Sequence, residues 1–240
     1  MEQYHGPPER WVNLAEGHLS LEASVLALNA TSVKIRDYEL TFNSHKLYDV
    51  SLDDTEIETV VTRDPGVVCT WINNTEAANE SRLHRLIVGL DIEWEPNLYS
   101  QNPVATLQLC VGRTCLIYQI LHAPNIPRLL CNFLQNDNYR FIGVGIDNDA
   151  KKLWDDYGLE VLNRVDLREW AAEELENESL RNVGLKYLVK EIVGIEIEKP
   201  KSVTMSAWSE RWLSYDQICY ACLDAYLSFQ VGRFLSSWYN

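Results

Sequence analysis

An α/β fold, a mixed β-sheet flanked by α-helices, is predicted by the order in which two kinds of pattern follow one another. Short strand-like segments, several alternating between polar and apolar residues, dominate from about residue 38 to 120. From about residue 126 apolar strand-like runs and helical periodicity take turns, the signature of helices packed on the faces of a sheet. At 240 residues, with 46% hydrophobic and 23% charged, the chain suffices for one domain with a full core.

Residues 1–36 carry little pattern. They hold the Gly6-Pro7-Pro8 breaker and the weakly apolar LSLEASVLALNA, which reads equally as helix or as disorder, and they are assigned to an N-terminal extension. The domain proper is placed at 37–240. YELTF (38–42), KLYDVSL (46–52) and EIETVVT (56–62) show period-2 alternation and are separated by Asn43-Ser44 and Asp53-Asp54 turns, so three strands are expected. Pro65 suits the first turn of a helix running through 67–79. LIVGLDIEW (86–94), VATLQLCVG (104–112) and TCLIYQI (114–120) read as strands, the last two as an antiparallel ribbon joined by a Gly-containing turn. A helix is expected at 126–136, a buried strand at YRFIGVG (139–145), and helices near 148–157, 168–176, 180–194 and 214–237.

The formal net charge is −14. That argues against general coating of nucleic acid, which rests on Lys and Arg neutralising phosphates. It leaves room for a nuclease, because bound cations invert the field where acids cluster. The six cysteines are expected as free, mostly buried thiols, and Cys219-Tyr-Ala-Cys222 has neither a second Cys pair nor a later histidine to complete a zinc site. No stretch approaches the ~18 apolar residues of a membrane span. The N-terminus shows no basic segment followed by an apolar one, so cytoplasm or nucleus is the expected location.

Five residues carry the chemistry. Asp91 and Glu93 flank Ile92 on an apolar strand, so both carboxylates face one side. Two acids so placed repel unless a cation joins them. D-x-E alone is common, and Asp54-Thr55-Glu56 is a second copy read as a solvated turn. Tyr220 and Asp224, four apart, share a helical face, although a buried tyrosine bonded to a nearby acid is an ordinary core arrangement. Asp149 follows the strand FIGVG at a helix start, where Asp147, Asn148 and Asp149 all suit a cap or first turn.

In this order the motifs resemble the DEDDy branch of the DnaQ-like 3'-5' exonucleases, which have a ribonuclease H-like fold. GLDIEW, NPVATLQLCVG, GVGIDNDAKKL, LKYLVKE and WLSYDQICYACLDAYLSF together resemble the Werner-syndrome-type exonuclease domain, especially small stand-alone plant members, over roughly residues 38 to 238. The resemblance implies that Asp91, Glu93, Asp149 and Asp224 hold two Mg2+ or Mn2+ ions, and that Tyr220 orients and helps deprotonate the attacking water. Asp149 is preferred over Asp147 because the family's aspartate falls four residues after the second Gly. The sister branch has a histidine where this chain has Cys219. Trp94, Lys151 and Lys186 are candidate substrate contacts, with Lys152, Arg181, Lys199, Lys201 and Arg211 as further phosphate candidates. The implied partner is a single-stranded nucleic-acid 3' end, RNA favoured over DNA, and the implied assembly a homo-oligomer. The alternatives are a DNA exonuclease or a catalytically silent binding module of the same fold.

Overall fold

The computed structural model describes residues 21–27, 31–40, 43–97 and 101–237. Among these, nine strands form one sheet. They are β1 (Leu21–Ala27), β2 (Ser32–Asp37), β3 (His45–Leu52), β4 (Thr55–Thr62), β5 (Leu86–Glu93), β6 (Thr106–Val111), β7 (Thr114–Tyr118), β8 (Tyr139–Gly143) and β9 (Arg164–Asp166). The spatial order is β1-β2-β3-β4-β7-β6-β5-β8-β9. β4 runs parallel to β7, β5 to β8 and β8 to β9, and the other pairs are antiparallel, so the sheet is mixed as expected.

The expectation for the N-terminal residues is revised where they are described, residues 1–20 and 28–30 lying outside the described residues. β2 straddles the boundary placed at residue 37, and Leu21–Ala27, read as helix or disorder, is a strand paired with it. In β2 the pattern was present, with Val33 and Ile35 buried between exposed Ser32 and Lys34. Tyr38–Leu40, expected as the start of a strand, have no regular structure, and residues 41–42 lie outside the described residues.

The helices are α1 (Pro65–Ala78), α2 (Arg128–Leu134), α3 (Ile146–Tyr157), α4 (Leu167–Glu174), α5 (Leu185–Leu188), α6 (Lys201–Thr204) and α7 (Tyr215–Ser237). α1 starts where predicted: Pro65 takes the first turn, and the Asp64 side chain accepts from the Gly66 N–H at 2.7 Å. The single helix expected over 180–194 is instead a 3-10 turn at Glu178–Asn182, then α5, then a π turn at Val189–Val193. Gly184, extended at the N-cap of α5, interrupts it.

Alternation along the strands sorts side chains into two cores. Leu86, Val88, Leu90 and Ile92 of β5 pack with α1 and α2 residues such as Trp71, Ile72 and Phe133. The other face packs on α7, whose Ile218, Ala221, Ala225, Leu227, Val231 and Leu235 are buried. α7 is buried around nearly its whole circumference, as a central helix must be. It can lie this close because Gly89 has no side chain: a Cβ there would fall 2.0 Å from the Ala225 carbonyl oxygen and 2.9 Å from the Phe229 nitrogen. β5 and α7 therefore touch backbone to backbone, which fixes the two carriers of the candidate site against each other.

Candidate metal and catalytic site

Asp91 and Glu93 stand at the end of β5 on the face that meets α7, with Ile92 in the opposite core. Asp224 follows one residue before the Ala225 that touches Gly89. The result is that one carboxylate oxygen from each of Asp91, Glu93 and Asp224 lies within 4.8 Å of the others. Glu93 is 9% exposed and Asp224 4%. Oδ2 of Asp91 is buried and has no hydrogen-bond partner.

Such crowding shows in the acidities. Burial, then the charges of Asp224, Glu93 and Asp149, push the Asp91 carboxyl well above its ordinary range. Burial and Asp224 push Glu93 up to about 9. Asp224 is raised by burial, although Lys199 pulls it back. The Lys199 ammonium donates to Asp224 Oδ2 at 2.6 Å and lies 5.0 Å from the centre of the Tyr220 ring. Sequence reading had offered Lys199 only as a phosphate contact. It reaches the acids from a segment between α5 and α6 that has no local motif.

Asp149 approaches from α3. The αL conformation that begins α3 falls on Gly145 (φ +79°), and no side chain caps the helix, so Asp149 is not engaged as a cap. Burial, then the charge of Asp166, push Asp149 up to about 7, and its own charge acts on Asp91 and Glu93. It stands outside the close trio. Asp147 points elsewhere, bound to Arg164 at 2.5 Å. A positioning residue not singled out in the sequence is Asp166. Its carboxylate accepts from the Gly145 N–H at 2.9 Å and from Arg168, which ties the turn before α3 to α4.

Tyr220 projects beside Asp224, one helical turn earlier. Its hydroxyl accepts from Thr204 Oγ1 at 3.2 Å, and its ring meets Trp208 edge-on with centroids 6.1 Å apart. Burial and the Asp224 charge push the phenol up to about 12, so it is neutral at physiological pH.

The candidate substrate contacts lie differently. Trp94 packs against the core on the α1 and α2 side of the sheet and carries the Lys152 ammonium 5.2 Å from its ring centre. Lys152 also donates to the Asn102 carbonyl at 2.7 Å and pairs with Asp156, so it holds a loop. Lys151 pairs with Asp155, Lys186 with Glu198 at 2.9 Å, and Arg181 with Glu169, Glu173 and Glu178. The four cysteines at 110, 115, 219 and 222 are buried free thiols, and Cys69 and Cys131 are free and half-buried.

Hard oxygen donors with a surplus of negative charge and a sealed, unsatisfied oxygen fit a divalent cation of the Mg2+ or Mn2+ type. A family model described as 3'-5' exonuclease matches residues 69–237. The chain belongs to this 3'-5' exonuclease family. An Arabidopsis thaliana protein named 3'-5' exonuclease is 34% identical over 152 residues, 62% of this chain and 52% of the relative. The mouse bifunctional 3'-5' exonuclease/ATP-dependent helicase WRN is 35% identical over 58% of this chain and 10% of its own length. Human exonuclease 3'-5' domain-containing protein 2 is 30% identical over 62% and 24%. The chain thus spans about half the length of one curated relative and a quarter or less of the other two.

Among solved structures, the Aedes aegypti Nibbler EXO domain superposes with a TM-score of 0.59 at 16% identity, covering 74% of this chain and 86% of that one. Escherichia coli RNase D gives 0.56 at 18% identity, covering 69% and 42%. At these identities the likeness shows the fold, which is ribonuclease H-like α/β.

Proposed function

We propose that this exonuclease-family chain hydrolyses single-stranded nucleic acid from its 3' end, with divalent metal held by Asp91, Glu93 and Asp224 and with Asp149 completing the acid set. The observation that carries the reading is the meeting of the three carboxylates within 4.8 Å of one another, with Asp91 Oδ2 left unsatisfied. Divalent metal held there would supply charge stabilisation to the phosphoryl oxygens and would lower the pKa of bound water.

The chain's own residues do the rest. Asp91 and Glu93 are fixed by strand geometry, and Asp224 by the backbone contact of α7 with β5, so the donors need little rearrangement. Tyr220 is neutral, its hydroxyl accepting from Thr204 and hydrogen-bonded to the Asp224 carboxylate. A phenol raised this far is a poor base at neutral pH, so its main part is to orient the attacking water. Lys199 supplies a positive charge at the acid cluster, and its ammonium can move from Asp224 to a phosphate oxygen once Asp224 is otherwise neutralised.

Short flexible ends are favoured over long duplex, a reading supported by the net charge of −14, and the choice of RNA over DNA rests on the family resemblance alone. The test uses 3'-labelled single-stranded RNA and DNA with Mn2+, comparing the unmutated chain with Asp91→Ala. Loss of 5'-mononucleotide release in the variant is expected. Intact oligonucleotide with the unmutated chain across a range of metals would leave a silent binding module. Products shortened from the 5' end would overturn the polarity.

A further inference from the structure

We propose that the cavity bounded by Arg63, Trp212 and Tyr215 is an upstream nucleotide subsite, which stacks a base and pairs a phosphate of the strand whose 3' end lies at Asp91, Glu93 and Asp224. The inference rests on the exonuclease reading above and extends it to residues with no part in the acid cluster.

Register places the cavity relative to the acids. Thr62 of β4 lies opposite Tyr118 of β7, Tyr118 opposite Leu107 of β6, and Leu107 opposite Ile92 of β5. One row across the sheet therefore joins Thr62, which lines the cavity, to the residue between Asp91 and Glu93. Three strand spacings separate them, roughly 14 Å. The face is also shared. Tyr48, Val61 and Ile218 line the cavity and belong to the core on the α7 side. Tyr215 and Ile218 belong to the first turn of the helix that presents Tyr220 and Asp224 further along. At about 1.5 Å per residue, Tyr215 stands roughly 13 Å before Asp224 along the axis. The two places sit on one end and one face of the sheet.

The lining suits a nucleotide. The volume is about 560 Å3, within the range of small-ligand sites. Trp212 is 65% exposed and Tyr215 37%. The Arg63 guanidinium lies 5.2 Å from the centre of the Trp212 ring. Arg63 and Lys46 bring positive charge to this cavity in a chain of net charge −14. The one acid in the lining, Asp37, already accepts from the Tyr215 hydroxyl at 3.2 Å. Aromatic rings interleaved with cations form the stacking platform that single-stranded binders use without sequence preference.

Trp212 is also held in place. In its loop, the Ser209 carbonyl bonds His122 Nε2 at 2.8 Å and the Arg211 carbonyl accepts from Gln119 Nε2 at 3.1 Å. Ser209 Oγ further bonds the Glu95 carboxylate, two residues beyond Glu93. The segment that carries Trp212 is thereby anchored to the stretches of chain that follow β5 and β7.

The experiment measures fluorescence anisotropy of 5'-labelled oligouridylates of two and eight nucleotides, bound to Asp91→Asn protein with and without Trp212→Ala or Arg63→Gln. At about 3.4 Å per stacked nucleotide, the dimer falls short of the cavity and the octamer passes it. Trp212→Ala is expected to weaken octamer binding roughly 5- to 150-fold, the contribution of one stacked base, and to leave dimer binding unchanged. An unchanged melting temperature shows that the exposed ring is not needed for folding. If octamer affinity stays within about twofold in both variants while unmutated protein still trims the octamer, the subsite is overturned and the exonuclease reading stands. If the unmutated protein neither binds nor trims single strands, both fall. A loss of oligomer in Trp212→Ala with octamer affinity intact would assign this face to a second copy of the chain and overturn the proposal.

Discussion

Gly89→Ala tests the claim that backbone contact between β5 and α7 builds the site. The new Cβ would stand 2.0 Å from the Ala225 carbonyl oxygen and 2.9 Å from the Phe229 nitrogen, where real Cβ contacts stay above about 3.0 Å. Neither neighbour is a side-chain tip that can swing away, so α7 must retreat by about 1 Å. Overpacking of this kind costs about 1–3 kcal/mol, and for a domain of this size that lowers Tm by roughly 2–12 °C. The retreat also carries Asp224 and Tyr220 away from Asp91 and Glu93. A displacement of ~1 Å at a reacting centre lowers rate by about 10²-fold. Gly232→Ala is the control. Its Cβ would meet Ile142 Cδ1 at 2.1 Å, the movable end of a side chain, so a smaller Tm loss is expected. Thermal denaturation, Mn2+ titration and single-turnover cleavage read the three effects. A Gly89→Ala protein with unmutated Tm and unmutated Mn2+ affinity would refute the reasoning.

Asp149→Asn is expected to impair cleavage and Asp147→Asn to spare it. The Asp147–Arg164 pair is exposed and contributes under ~1 kcal/mol, and equal losses in the two variants would undo the choice between them. Lys199→Met removes the internal counter-ion of Asp224. The metal-free protein should lose up to about 3 kcal/mol, the low end for breaking a buried pair, while calorimetry should show tighter Mn2+ binding because no ammonium competes. Because burial and Asp224 hold Glu93 at about 9, it carries a proton at pH 7 in the metal-free state. Mn2+ binding should therefore release protons and strengthen as pH rises toward 9, which titrations in buffers of different ionisation enthalpy would detect. Away from the site, burial and the Asp49 charge raise Glu58 from 4.5 to about 7. The folded state then holds a proton that the unfolded state has lost, so stability falls as pH rises from about 4.5 to 7. Urea denaturation across that window should show the slope, and Glu58→Gln should flatten it.

How much of the site was legible depended on whether each residue's neighbours were local. Asp91 with Glu93, and Tyr220 with Asp224, could be paired from spacing because strand and helix periods alone put each pair on one face. The choice between Asp147 and Asp149 needed the helical phase of α3, which starts at Ile146 behind the αL turn of Gly145. Lys199 and Asp166 had no such signal, since each works through a partner distant in sequence or through a turn backbone. Trp212 was passed over because one exposed aromatic in a loop has no period to betray it, and only the register from Thr62 to Ile92 gives it a place. The fold was readable where strands were long and flanked by turns. β2 was missed although Val33 and Ile35 alternate with polar residues, because it abuts a patternless stretch. The broken helix around Gly184 was overextended because apolar spacing continues through 3-10, α and π turns alike.

α7 runs through the most enclosed part of the molecule, with Ala221, Ala225, Leu227 and Val231 at 0% exposure. Residues that close a reaction centre are often on segments that open cheaply, but here two of the proposed site residues ride on a largely enclosed helix. Amide hydrogens around Tyr220 and Asp224 should then exchange with deuterium only through whole-domain opening, as slowly as the central strands. Access for substrate must come from the loops around this helix, and any change that loosens it will surface first as lost stability.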